Sequence, residues 1–183
     1  LKDLSMPSVR FSVSVEPMES DTGFDATGAD NVKFLISANA GEALGRISKI
    51  ASGGELSRIM LAMKTVFSKN DPIETMVFDE IDTGVSGIAA QRVGEKMSDL
   101  SRGKQVLCIT HLPQIAAIAD NHDLIEKTER NGRTYTEVRE LDRKGRALEL
   151  ARMHGGDNIS ELTLASAEEQ LLAADKYRLT RNN

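Results

Sequence analysis

Two short apolar runs, Met76-Val77-Phe78 and Val106-Leu107-Cys108-Ile109, end in residues that bind protons or cations, and a stretch of helical period separates them. The first run closes in Asp79-Glu80 and the second in Thr110-His111. Strand, helix, strand in this order predicts an α/β fold with a mostly parallel sheet core and flanking helices. In such a sheet, ligands bind beyond the C-terminal ends of the strands, where these polar residues lie.

The helix between the strands is expected over 86–100, with Ala89, Val93, Met97 and Leu100 on its inner stripe. An earlier helix starts near Glu55, with Leu56, Ile59, Met60, Met63, Val66 and Phe67 at helical spacing. Ser52 and Glu55 form an S-x-x-E capping box at its start, and Asp71-Pro72 marks a break before the strand over 75–78. Upstream, Val9, Phe11, Val13 and Val15 alternate with polar residues as in a half-buried strand. A second alternation over 32–38 makes an antiparallel pair, with loops at 20–31 and 39–45. Downstream, the strand over 105–110 leads into a short helix from Pro113 to Ala119. Asn131-Gly132 between two alternating runs signals a type I′ hairpin. Helices over 146–153 and 160–177 close the chain.

The 183 residues suit one domain, and 40% apolar with 28% charged residues is ordinary for a soluble α/β protein. No apolar run approaches the length of a membrane span, and no signal-peptide pattern is visible. The first residue, Leu1, suggests a piece of a longer protein. Cys108, the only cysteine, rules out a disulfide framework and a cysteine zinc site, which fits a cytoplasmic location; inside an apolar run it reads as a buried structural thiol. A net charge of −5 argues against a large DNA-binding surface unless basic residues such as Arg58, Lys64, Arg92, Lys96, Arg102 and Lys104 cluster locally.

Several features carry chemistry together that none carries alone. Ser52-Gly53-Gly54-Glu55 at a helix start offers free amides to an anion. The Asp79-Glu80 pair has the form of a Walker B motif. Asp79 suits the water shell of Mg²⁺, and Glu80 suits a general base, a role worth roughly 10²–10⁴ in rate. Ile81-Asp82-Thr83-Gly84-Val85-Ser86-Gly87 occupies the place of a D-loop, and His111 that of a switch histidine able to reach a γ-phosphate. His122 and His154 lack such a context and read as structural. A Ser52, Asp79, His111 hydrolase is a poor alternative, because no G-x-S-x-G elbow is present.

Ile50-Ala51-Ser52-Gly53-Gly54-Glu55-Leu56-Ser57-Arg58, the run from Phe78 to Gly87, and Ile109-Thr110-His111-Leu112-Pro113-Gln114 together resemble the RecN family of SMC-like ABC ATPases. The resemblance implies that residues 1–183 are the C-terminal segment of an ATPase head split by a coiled coil, with 1–8 at the end of the coiled-coil connection. It implies ATP and Mg²⁺ as cofactors. Its implied partners are an N-terminal Walker A segment of the same parent chain, a second head, and DNA at double-strand breaks. Ser52, Gly53, Gly54, Glu55 and Asp82 would then contact nucleotide, with Asp79, Glu80 and His111 serving the nucleotide of their own head. The chain departs from a complete head in one respect: no G-x-x-x-x-G-K-[ST] loop occurs, so the segment alone is expected to hydrolyse no ATP. Two other readings remain: a transporter-type nucleotide-binding domain, and a non-catalytic dimerisation or DNA-binding module of ABC fold.

Overall fold

The structure is a computed structural model that describes residues 1–19, 21–38, 40–47 and 52–181. Ser20, Asn39, Ile50 and Ala51, which took part in the loop and motif readings, lie outside the described residues.

The strand–helix–strand unit expected from the sequence is present. β4 (Thr75–Phe78) and β5 (Gln105–Cys108) run parallel, with Met76 beside Val106 and Phe78 beside Cys108. α2 (Gly87–Leu100) crosses between them. Met76, Phe78, Ala90, Val93, Met97 and Leu100 form one core cluster together with Leu61, Ile81 and Ile115. Leu4, in a 3₁₀ turn at Lys2–Leu4, joins the same core, so the N-terminal residues pack onto the body of this fold.

Among the described residues the two-stranded β4–β5 sheet is the parallel component, and the antiparallel pairs expected before and after it complete a mixed α/β set. β1 (Arg10–Pro17) pairs antiparallel with β2 (Asp30–Ser37), which pairs antiparallel with β3 (Gly45–Arg46), a two-residue strand too short to show a period. β6 (Asp123–Arg130) and β7 (Arg133–Glu140) form a hairpin, with Asn131 (φ 54°) and Gly132 (φ 69°) alone in its turn. That is the left-handed pair a type I′ turn demands. A parallel neighbour requires a crossover long enough to hold a helix, and α2 supplies it between β4 and β5, whereas the short turn between β6 and β7 permits only an antiparallel pair.

The β1–β2 alternation has the expected period but the opposite exposure. Phe11, Val13, Val15, Val32 and Phe34 form an exposed apolar row, and Phe11 stacks on Phe34 at 5.7 Å. Burial on this sheet is concentrated at Ile36, which packs with Met6 and with Ile59 of α1 (Gly53–Phe67). α1 itself buries Gly54, Arg58, Ile59 and Leu61, whereas Leu56, Met60, Val66 and Phe67 of the expected stripe are exposed. The parallel pair likewise leaves Val77, Leu107 and Ile109 uncovered, with Val77 64% exposed.

α3 (Pro113–Ile118) lies between two cores. Ile115 faces the first, and Ala116 and Ala117 face a second built from α4 (Arg143–Gly155) and α5 (Glu161–Arg181). Arg146 and Arg178 both donate to carbonyls at the C-terminal end of α3, including those of Ala117 and Ala119. Each satisfies acceptors that the end of a helix leaves without partners.

Adjacent leucines on α5 test this packing. Leu171 is 0% exposed and Leu172 is 55% exposed. Leu171→Ala should lower unfolding free energy by about 2–5 kcal/mol, and Leu172→Ala should change it by no more than about 0.5 kcal/mol. Urea denaturation of the two variants measures the contrast.

Candidate nucleotide-site edge

The C-terminal ends of β4 and β5 stand level, because Ile109 N donates to Phe78 O at 3.0 Å just past the last paired residues. Asp79-Glu80 and Thr110-His111 therefore emerge side by side at one edge. Asp79 Oδ1 accepts from Glu80 N at 2.9 Å, and Glu80 sits at φ 57°. A left-handed glutamate costs about 1–3 kcal/mol, and such outliers persist where surrounding contacts fix them.

Those contacts come from α1. Ser52 caps the helix, its Oγ accepting from Glu55 N at 3.4 Å. The two glycines that follow lie against the turn after β4. A Cβ on Gly54 would stand 2.7 Å from Thr83 O and 3.2 Å from Glu80 O, and one on Gly53 would stand 2.8 Å from Glu80 Oε2. At Gly54 the close atoms are backbone, so only a residue without a side chain fits there, whereas the Glu80 carboxylate near Gly53 can swing aside. Ser57 Oγ then donates to Asp79 O at 3.1 Å, and the buried Arg58 donates to Thr83 O at 2.9 Å and Ile81 O at 3.4 Å. Burial holds the Arg58 guanidinium below the usual arginine pKa, opposed by the charge of Glu55.

The turn continues through Ile81, which is fully buried, and through Gly84 (φ 76°) and Gly87 (φ 52°). From the sequence, Asp82 belongs with the nucleotide-contacting residues; in the structure its carboxylate points inward and is 4% exposed. Its Oδ2 accepts from Thr110 Oγ1 at 2.6 Å and from His111 N at 3.0 Å, and lies 3.1 Å from His111 Nδ1. The His111 side chain stays 76% exposed. Asp79, Glu80, Asp82 and His111 are thus gathered at one edge, with Gly53 and Gly54 against it.

Ser57, Arg58 and Thr110 were not read from the sequence as parts of this site. Arg58 had stood among the basic residues available for a DNA patch. Arg58 is buried on the turn, Lys64 pairs with Asp71, Lys104 donates to the carbonyls of Asp71 and Ile73, and Arg92 pairs with Glu95, so these four are spent internally. His122 is partly buried with its pKa lowered by burial and by Arg146, while His154 Nε2 meets Gln170 Oε1 at 2.9 Å. Cys108 is pushed up to about 12 by burial and by the nearby charges of Asp82 and Asp79, an inert thiol.

Among the described residues no group of three His, Cys, Asp or Glu side chains could hold a metal ion. Mg²⁺ keeps several of its waters and is commonly held through one or two carboxylates. Asp79 is the carboxylate at the edge suited to it. Among the described residues no helix is long and apolar enough to cross a membrane.

No family sequence model matches the chain. Among curated proteins, the DNA repair protein RecN of Bacillus subtilis is 51% identical over 153 residues, covering 84% of this chain and 27% of that protein. The chain spans less than a third of the length of the curated relatives it matches. Among solved structures, the Smc head domain with a coiled coil and joint from Pyrococcus yayanosii superposes with a TM-score of 0.57 at 23% identity, covering 83% of this chain and 27% of that one. A chain from work on ATP-driven dimerisation and DNA-stimulated activation of SMC ATPases gives 0.50 at 21% identity, covering 86% and 89%. The fold is that of an SMC head.

The close approach of α1 to the turn is open to test. Gly54→Ala forces a methyl onto a backbone oxygen and should destabilise the fold by about 1–3 kcal/mol despite alanine's better helix propensity. Gly103→Ala, where a Cβ meets nothing within 4 Å, is the control that thermal unfolding should leave nearly unchanged.

Proposed function

We propose that this chain, similar over most of its length to a C-terminal fragment of RecN and folded like an SMC head, supplies one half of an ATPase site in a DNA-repair protein. The observation that carries the reading is the meeting of Asp79, Glu80 and His111 at one strand edge, in a sequence with no phosphate-binding loop of its own. Asp79 holds the water shell of Mg²⁺, whose chemistry when bound is to neutralise charge on the phosphates. Glu80, fixed by the left-handed backbone and the Asp79 Oδ1 bond, takes a proton from the attacking water. His111 presents its exposed ring to the terminal phosphate.

The remaining half comes from elsewhere. The exposed faces of β4–β5 and β1–β2 suit the N-terminal Walker A segment of a parent chain, because burial of Val77, Leu107, Ile109, Val13 and Phe34 contributes roughly 25 cal/mol per Å². Ser52, Gly53, Gly54 and Glu55 present a capped helix N-terminus, an arrangement that favours a phosphate anion, here the nucleotide of a second head. DNA ends as the target, a cytoplasmic location and homodimerisation on ATP belong to the same reading. Its support is similarity to RecN, the fold shared with SMC ATPases, and the absence of membrane-length helices.

Mixing the chain with the N-terminal segment of its parent and following phosphate release tests the proposal. Turnover is expected only in the mixture, and Glu80→Gln should reduce it by roughly 10²–10⁴. No turnover from a complex shown to be associated and folded would favour the non-catalytic module.

A further inference from the structure

His111 has ring nitrogens with separate roles, and one is already committed. Its Nδ1 lies 3.1 Å from Asp82 Oδ2, while most of the ring faces solvent. The same oxygen accepts from the His111 backbone N–H and from Thr110 Oγ1. Thr110 Oγ1 in turn accepts from Leu112 N at 3.0 Å, and Leu112 is the N-cap of α3. One buried oxygen therefore grips the backbone, the ring and the preceding hydroxyl at the point where β5 passes into α3.

We propose that Asp82 is the positioning residue for His111, holding the imidazole as the Nδ1–H form so that Nε2 faces the nucleotide edge. This rests on the functional reading above and deepens it. A carboxylate is acceptor-only, so an Nδ1 that lies 3.1 Å from it is favoured with a proton, and the second ring nitrogen is then left as the acceptor. Without that contact the ring rotates about its side-chain bonds and exchanges tautomers. Holding the orientation in advance removes an entropic cost from the reacting complex. Asp82 reaches the ring from a buried position on the turn, so it does not touch the nucleotide itself. It fixes which atom of His111 does.

Carboxylate partners of a functional histidine commonly alter rates by about 10–100-fold when removed. A merely structural Asp82 would hold the turn without affecting the ring's proton, and the experiment separates the two roles. Nitrogen-15 NMR of the chain, which has three histidines, reads the tautomer of each neutral ring directly. His111 is expected as the Nδ1–H tautomer, and Asp82→Ala should move it toward the Nε2–H form with His122 and His154 unchanged. Asp82→Asn keeps shape and an acceptor oxygen, so it should retain part of the Nδ1–H population; it serves as the second variant should the alanine chain unfold. Thr110→Val, which spares the carboxylate, should keep the tautomer.

In the mixture with the N-terminal segment, Asp82→Ala should lower kcat by about 10–100-fold, with KM for ATP within about threefold, and Asp82→Asn should recover part of the loss. A wild-type His111 in the Nε2–H form, or a tautomer that both Asp82 variants leave unchanged, overturns the proposal. An active mixture in which neither variant lowers kcat overturns it equally. If the wild-type mixture is inactive the functional reading fails, while the NMR result still decides whether Asp82 sets the ring.

Discussion

The turn from Asp79 to Thr83 is bonded on two sides at once, and the candidate site exists because of it. On one side, Gly53 and Gly54 lie flush against it and Ser57 and Arg58 donate to its carbonyls. On the other, Asp82 accepts from Thr110 and the His111 backbone. Ile81, between them, is buried in the main core. A turn with unpartnered carbonyls would be costly at this depth, since each buried unsatisfied polar group costs about 1–3 kcal/mol. Here Ser57 and Arg58 of α1 satisfy the carbonyls of Asp79, Ile81 and Thr83, and Thr110 and the His111 amide satisfy the Asp82 carboxylate.

That arrangement links two regions with different proposed tasks. The start of α1 is the segment proposed to meet the nucleotide of a second head, while the residues beside it, Asp79, Glu80 and His111, form the edge proposed to serve the chain's own nucleotide. Apolar rows on β1–β2 and β4–β5 stay exposed among the described residues, and these are the faces proposed to take the N-terminal segment.

Much of this was legible from residue order. The strands at 75–78 and near 105–108, the helix between them, the Asn131-Gly132 turn and the capped start of α1 all follow from local rules of period and turn chemistry. The level strand ends follow as well, because a parallel pair carries its C-terminal residues to one edge. What was not legible depends on partners distant in sequence. Periodicity identifies an apolar stripe on α1 but not which part is covered, so Leu56, Met60 and Phe67 read as core yet stay exposed, while Arg58 is buried beside Ile59. Asp82 follows Asp79-Glu80 like another solvated acid, yet its partners lie 28 and 29 residues away. The parallel β4–β5 unit and the two antiparallel pairs were each legible, because a helical crossover and a connection without a helix favour opposite strand directions.

The central claim is that this chain presents one side of a nucleotide sandwich that closes against a second head. Light-scattering mass of the head reassembled from this chain and its N-terminal segment, carrying Glu80→Gln to prevent turnover, tests it most directly. With ATP and Mg²⁺ the mass should double, and it should stay that of a single head when Ser52→Arg blocks the start of α1. A mass that ATP leaves unchanged, or a doubling that survives Ser52→Arg, would contradict the account.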